Sequence, residues 1–201
     1  MLVVVGGNSR NIGKTSVAAA IIRGTVQLGW TALKITQYGH GRCANGGDCE
    51  CAGQRHRYAL TEEKVATSKD SGRFLGAGAL KAYWLRTEQQ QLGNALPVLK
   101  TIFAENENVI CESNSLLRFF KPDAYVMVLD GRVEDMKQSA RLYFDRADAY
   151  ALVTEGAAEW PWDGLQQRIV EGKPHFLVSP PDYASTELSA WIAGRQLRLR
   201  Q

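Results

Sequence analysis

Met1-Leu2-Val3-Val4-Val5-Gly6-Gly7-Asn8-Ser9-Arg10-Asn11-Ile12-Gly13-Lys14-Thr15-Ser16-Val17-Ala18-Ala19-Ala20-Ile21-Ile22 is the stretch on which the fold turns. Its apolar, β-branched start reads as a buried strand, and Ser16 to Ile22 reads as a strong helix former. Between them lies a glycine-containing loop that ends in Gly13-Lys14-Thr15. Backbone NH groups of such a loop wrap a phosphate chain, the helix behind it aims its positive end at the anion, and glycine permits close approach. Coincidence of strand, loop, Gly-Lys-Thr and helix separates this segment from a glycine-rich turn ahead of a surface helix. It predicts a P-loop in which Gly7, Asn11, Gly13, Lys14, Thr15 and Ser16 bind nucleotide, Lys14 reaches the β and γ phosphates, and the Thr15 hydroxyl binds Mg²⁺.

Asn8 occupies the first-glycine place of the commonest form of this motif, and Gly7 stands one residue further back. Five residues, Asn8 to Ile12, therefore separate Gly7 from Gly13. This spacing resembles that of dethiobiotin synthetase and related P-loop enzymes, which also begin with a strand at the extreme N-terminus. That resemblance implies, as one option, a synthetase that activates a carboxylate.

Working outward, apolar β-branched runs alternate with segments of helical period. The pattern predicts a doubly wound, mostly parallel α/β sheet in three α/β/α layers. Strands are expected at Leu2–Val5, Ala32–Ile35, Leu80–Leu85, Val109–Glu112, Tyr125–Leu129, Ala149–Val153 and His175–Val178. Helices are expected at Thr15–Leu28, Glu88–Phe103, Val133–Phe144, Trp162–Glu171 and Ser185–Arg195. The 201 residues read as a single P-loop NTPase domain. A cysteine-rich insertion, 37–68, interrupts it where periodicity is lost, directly after a strand and hence at the carboxyl edge where ligands bind.

Lys34 stands near the carboxyl end of the second strand. Ser68-Lys69-Asp70-Ser71-Gly72-Arg73 precedes the small stretch Ala77-Gly78-Ala79. Together with Gly13-Lys14-Thr15, these pieces resemble the molybdopterin-guanine dinucleotide biosynthesis protein B family. The resemblance implies an NTP site in which Asp70 helps hold Mg²⁺. A hard cation does favour carboxylate oxygen, but an Asp before Ser and Gly equally caps a turn or helix.

Glu112 closes the buried run Val109-Ile110-Cys111, which delivers a carboxylate to the same edge and suits it to orienting Mg²⁺ or water. In both families named, a Glu in the corresponding place is followed by Gly; here Ser113 follows. Lys14, Lys34 and Glu112 are the candidate catalytic residues, and Thr15, Asp70 and Glu112 the candidate Mg²⁺ ligands. Asp130 closes the next apolar run and rivals Glu112, although Asp130-Gly131 is a common turn pair.

His40, Cys43, Cys49, Cys51 and His56 crowd into the insertion. Thiolate and imidazole suit Zn²⁺ or an iron–sulfur cluster, and His40, Cys43, Cys49 and Cys51 are the candidate ligands. Their spacing is not that of a zinc finger, and unliganded reduced thiols remain the alternative. Cys111 fits a core thiol better than a fourth ligand. For the base, Ser179-Pro180-Pro181-Asp182-Tyr183 and Thr154-Glu155-Gly156 both follow strands, and no Asn-Lys-x-Asp guanine signature is present, so ATP and GTP stay open.

A net charge of +3, with 22% charged residues spread along the chain, gives no footprint for nucleic acid. Neither a signal-peptide pattern nor an apolar run of membrane-spanning length is found, which predicts a cytoplasmic protein whose thiols stay reduced. The expected function is a Mg²⁺-dependent NTP-binding protein that hydrolyses or transfers the γ-phosphate to a small-molecule or protein acceptor. The family resemblance sets it in cofactor assembly. The alternative is a nucleotide-controlled metal-trafficking or regulatory switch built on the cysteine loop, and a homodimer is left open.

Overall fold

In the computed structural model, residues 1–38, 57–68, 71–154 and 160–199 are described. Strand β1 (Leu2–Gly7) sits inside the sheet, and its side chains are buried from Val3 onward. It pairs in parallel with β5 (Val109–Glu112) on one side and β6 (Ala124–Asp130) on the other. Burial on both faces explains why these strands read as unbroken apolar runs rather than alternating ones.

Among the described residues the strands form one eight-stranded sheet in the order β3-β4-β2-β5-β1-β6-β7-β8. Strands β2 (Thr31–Tyr38), β4 (Lys81–Glu88), β7 (Ala149–Val153) and β8 (His175–Val178) continue the parallel arrangement. Edge strand β3 (Tyr58–Glu62) runs antiparallel to β4. The chain moves away from β1 to β2 and β4, returns to place β5 beside β1, then crosses to β6. The order therefore reverses around β1, the position at which open α/β sheets bind ligands.

Helices α1 (Lys14–Gly24), α2 (Gly72–Gly76) and α6 (Thr186–Leu199) cover one face of the sheet. Val17, Ile21, Phe74, Leu188 and Ile192 pack there with Val3 and Val5. Helices α3 (Leu96–Glu105), α4 (Gln138–Tyr143) and α5 (Gln167–Glu171) cover the other, where Leu99, Ala140 and Val170 meet Val4, Leu33 and Met127. The expected doubly wound, three-layer α/β/α architecture is present.

Several element boundaries differ from expectation, each for a local reason. The first helix was expected to reach Leu28, yet α1 stops at Gly24: the Thr25 hydroxyl donates back to Ile21 O at 2.6 Å, and a 3₁₀ turn, Val26–Leu28, follows. The helix expected over Glu88–Phe103 begins only at Leu96. Glu88 still belongs to β4, in register with Tyr38, and Pro97 sits in the first turn of α3, where its missing NH costs nothing. The helix expected from Val133 starts at Gln138, because carbonyls of Val133 and Asp135 are engaged by the side-chain amide of Asn8. The helix expected from Trp162 starts at Gln167; before it, the Trp162 indole donates to Val133 O and meets Trp160 edge-on at 4.9 Å. The last helix runs four residues beyond Arg195, to Leu199. Strand β3 and helix α2 were not expected at all.

Candidate phosphate-binding site

Steric demand at the two ends of the loop explains its glycines. A Cβ on Gly7 would stand 2.6 Å from Ile12 Cδ1 and 3.0 Å from Lys14 Cδ, so the stem of Lys14 passes directly over that residue. Gly13 has φ +87°, and a Cβ there would stand 2.3 Å from the Tyr183 ring. Gly13 requires glycine on both counts, and at Gly7 a side chain would displace Ile12 and crowd Lys14. Asn11, at φ +57°, forms the exposed tip.

Asn8 shows what replaced the usual first glycine. It is fully buried, and its amide donates to Val133 O (3.1 Å) and Asp135 O (3.2 Å). Its Oδ1 accepts from the Asp130 NH at 3.1 Å, its NH donates to Val128 O, and its carbonyl accepts from the Lys137 NH at 2.9 Å. One side chain thus clips the loop between β1 and α1 to the segment joining β6 and α4. Ser9 adds a hydroxyl bond to Asp135. Through this clip Lys137 is brought beside the loop.

Opposite, the β5 end is tied to β1. The Ser113 NH donates to Val5 O at 3.1 Å, and the Asn114 side chain both accepts from Gly7 NH and donates to Gly7 O, each at 2.9 Å. Ser113 has no left-handed backbone, so the glycine found there in the resembling families is not required by this chain.

These ties converge on Glu112. Register places it beside Val5 on β1 and beside Lys34 on β2. The Thr15 hydroxyl donates to Glu112 Oε2 at 2.6 Å, Lys34 Nζ donates to Thr15 Oγ1 at 3.2 Å, and Lys34 Nζ stands 3.5 Å from Glu112 Oε2. Glu112 is buried. Lys14 Nζ donates to Ser9 O, inside the curve of the loop. A cleft of about 760 Å³ opens over this cluster, bounded by Gly7, Lys14, Lys34, Glu112, Trp84 and Lys137.

Electrostatics follow from crowding. Burial lowers the Lys14 pKa to about 8, with Glu112 opposing the drop and Lys137, Lys34 and Arg10 reinforcing it. Lys137 is lowered as well, first by burial and then by Arg10. Cations held this close in a partly dry cleft repel one another and are relieved by a polyanion. The hydroxyl of Thr15 and the carboxylate of Glu112 form a hard-oxygen pair at the cleft floor, a donor set that suits Mg²⁺.

On the α1 side, Arg73 Nη2 donates to Ser16 Oγ at 2.9 Å, which positions a guanidinium behind the loop. Tyr183, at the end of the loop after β8, packs on Gly13. Asp130 is held elsewhere: Arg132 donates to it through Nε (2.9 Å), Nη2 (2.8 Å) and backbone NH (3.0 Å), and this guanidinium keeps its carboxyl below the usual range.

The structure thus gathers Gly7, Gly13, Lys14, Thr15, Lys34 and Glu112 into one cluster, with Asn11 at its rim and Ser16 against Arg73. Asp70, His40, Cys43, Cys49 and Cys51 lie outside the described residues, as do His56 and Glu155. No cluster of three or more metal-ligating side chains occurs among the described residues. Sequence reasoning noted Asn8 and Arg73 without giving them a role in the site, and missed Asn114 and Lys137. An asparagine standing where the motif usually has glycine was the available signal for the first; the others come from elements far apart in the chain.

No described helix is long and apolar enough to cross a membrane. No protein-family model matches the chain, and no curated protein matches it. Among solved structures, the chain is similar to the "apo" form of LpxK from Aquifex aeolicus in complex with ATP, at 15% identity and a TM-score of 0.45. That likeness covers 88% of this chain and 53% of the other, so the chain spans about half the length of that structure. In this chain the strand, loop and helix of β1 and α1 stand at the centre of a doubly wound, three-layer α/β/α sheet.

Proposed function

We propose that the chain is a Mg²⁺-dependent nucleoside triphosphate-binding protein that transfers or releases the γ-phosphate. The observation that carries this reading is the Thr15–Glu112–Lys34 cluster at the mouth of a loop curled around Lys14. In it a hydroxyl, a carboxylate and two ammonium groups from three separate elements lie within hydrogen-bonding range of one cleft.

The loop amides and the N-terminus of α1 bind the phosphate chain, and Lys14 spans the β and γ phosphates. Thr15 and Glu112 hold Mg²⁺, which neutralises charge on the phosphate oxygens. Glu112, kept in place by Lys34, orients the attacking group, while Lys34 and Lys137 offset the negative charge of the γ-phosphate. The nucleotide body extends along the α1 face toward Arg73 and Tyr183. The resemblance of Gly13-Lys14-Thr15, Lys34 and Lys69-Asp70-Ser71 to the molybdopterin-guanine dinucleotide biosynthesis protein B family makes cofactor assembly the proposed setting.

Lys14→Ala tests the reading. Calorimetric titration with ATP and with GTP, each with Mg²⁺, should show tight binding of at least one nucleotide by the parent chain. The variant, folded by circular dichroism, should bind roughly 100-fold more weakly. Equal affinity in parent and variant would sink the assignment.

A further inference from the structure

Past Arg10 and Lys137, which line both spaces, the phosphate cleft continues into a second cavity of about 780 Å³. Its walls belong to the other face of the sheet. Leu92 and Tyr143 line it and are part of the core that packs under α3 and α4, whereas Tyr183 packs with the core under α1. Arg10 and Lys137 stand where the two spaces adjoin, beside the tip of the loop. With the nucleotide body placed over α1, as proposed above, the second cavity on the α3 and α4 face stays clear of it.

The lining has a definite chemistry. Among the described residues of its lining, Arg10, Arg118 and Lys137 supply three cations against one carboxylate, Asp135, which already accepts the Ser9 hydroxyl. Beside them lie two large apolar side chains exposed to water, Phe119 at 37% and Leu142 at 60%. The Arg118 guanidinium stands 5.7 Å from the centre of the Phe119 ring. Exposed apolar surface next to excess positive charge, within a concave space, matches a ligand that has an apolar body and an acidic group.

We propose that this cavity binds a small acidic molecule, carrying a phosphate or carboxylate on an apolar body, at the same time as nucleotide occupies the P-loop. Its acidic group sits between Arg118 and Lys137, and its body lies on Phe119 and Leu142. That this ligand takes part in the γ-phosphate chemistry rests on the function proposed above; its binding does not.

The test uses the full chain and 1-naphthyl phosphate as probe, titrated by calorimetry with and without a non-hydrolysable ATP or GTP analogue and Mg²⁺. Saturable binding is expected in both conditions, roughly tenfold weaker for neutral 1-naphthol. Arg118→Glu and Leu142→Asp, both at exposed positions, should each weaken the probe about tenfold and leave the affinity for nucleotide unchanged. No saturable binding at millimolar probe would overturn the proposal. So would displacement of the probe by nucleotide, equal affinity for 1-naphthol, or parent-like affinity in both variants. If the probe behaves as expected and no nucleotide binds, the cavity's ligand class stands and the nucleotide reading falls.

Discussion

Two carboxylates close the two strands that flank β1, and they have opposite fates. Glu112 ends β5 and Asp130 ends β6; both are buried, and both follow an unbroken apolar run. Asp130 is met two residues later by Arg132, which takes both of its oxygens, and by the backbone NH of Arg132. Glu112 is followed by Ser113 and Asn114, which bond to β1 and leave the carboxylate to Thr15 and Lys34. A buried carboxylate is thus structural when a local cation saturates it. It is a candidate for chemistry when its partners come from distant elements that meet at one cleft, as Thr15 of α1 and Lys34 of β2 do.

The contrast is most strongly tested at Glu112. Glu112→Gln keeps size and loses charge, so NTP turnover should fall on the order of 100-fold, with nucleotide affinity measured without Mg²⁺ changed only a few-fold. A parent-like steady-state rate would place Glu112 in the same structural class as Asp130.

Asp130→Asn should do the reverse. It removes the charge on which the Arg132 guanidinium and backbone NH converge, so urea denaturation should show a loss of about 2 kcal/mol with turnover nearly unchanged. Because Arg132 holds the Asp130 carboxyl below its unfolded value, that stability is present above the unfolded carboxyl pKa. It is lost as pH falls through the lower folded one. A tenfold loss of turnover in a well-folded Asp130→Asn protein would erase the distinction.

Smaller again is the effect of pH on Lys14. Its pKa of about 8 is set by burial, and bound phosphates would raise it, so binding takes up a proton once the free lysine begins to lose its own. Affinity for Mg·NTP should therefore be flat below pH 8 and fall roughly tenfold between pH 8 and 9.5. A flat profile through that window would show that Lys14 stays charged without phosphate.

The smallest effect is expected where the β5 end is tied to the loop. Asn114→Ala removes both side-chain bonds to Gly7 and should cost about 1 kcal/mol of stability, with a weaker affinity for nucleotide. Unchanged affinity together with unchanged stability would mean that Ser113 alone holds the two strands in place.

What the sequence determined by itself is the part of the site made by neighbours in the chain. β1, the loop and α1 are consecutive, so residue order, apolar period and the Gly13-Lys14-Thr15 signature specify them without reference to the rest. The central strands β1, β5, β6 and β7 also read correctly, because burial on both faces leaves a continuous apolar run as its mark. Helix starts were less legible: α4 begins five residues later than its period suggests, and only the folded contact with Asn8 explains why. Edge strand β3 exists by pairing with β4, a partner some twenty residues on, and its own pattern gave no warning. Only the tertiary structure shows how differently Glu112 and Asp130 are surrounded. Each is a carboxylate at a strand end, and the strand order puts the first against Thr15 and Lys34 while a side chain two residues away claims the second. The physical reason is that a charge acquires its role from what lies within a few ångströms, and for Glu112 those neighbours are 97 and 78 positions away in the chain.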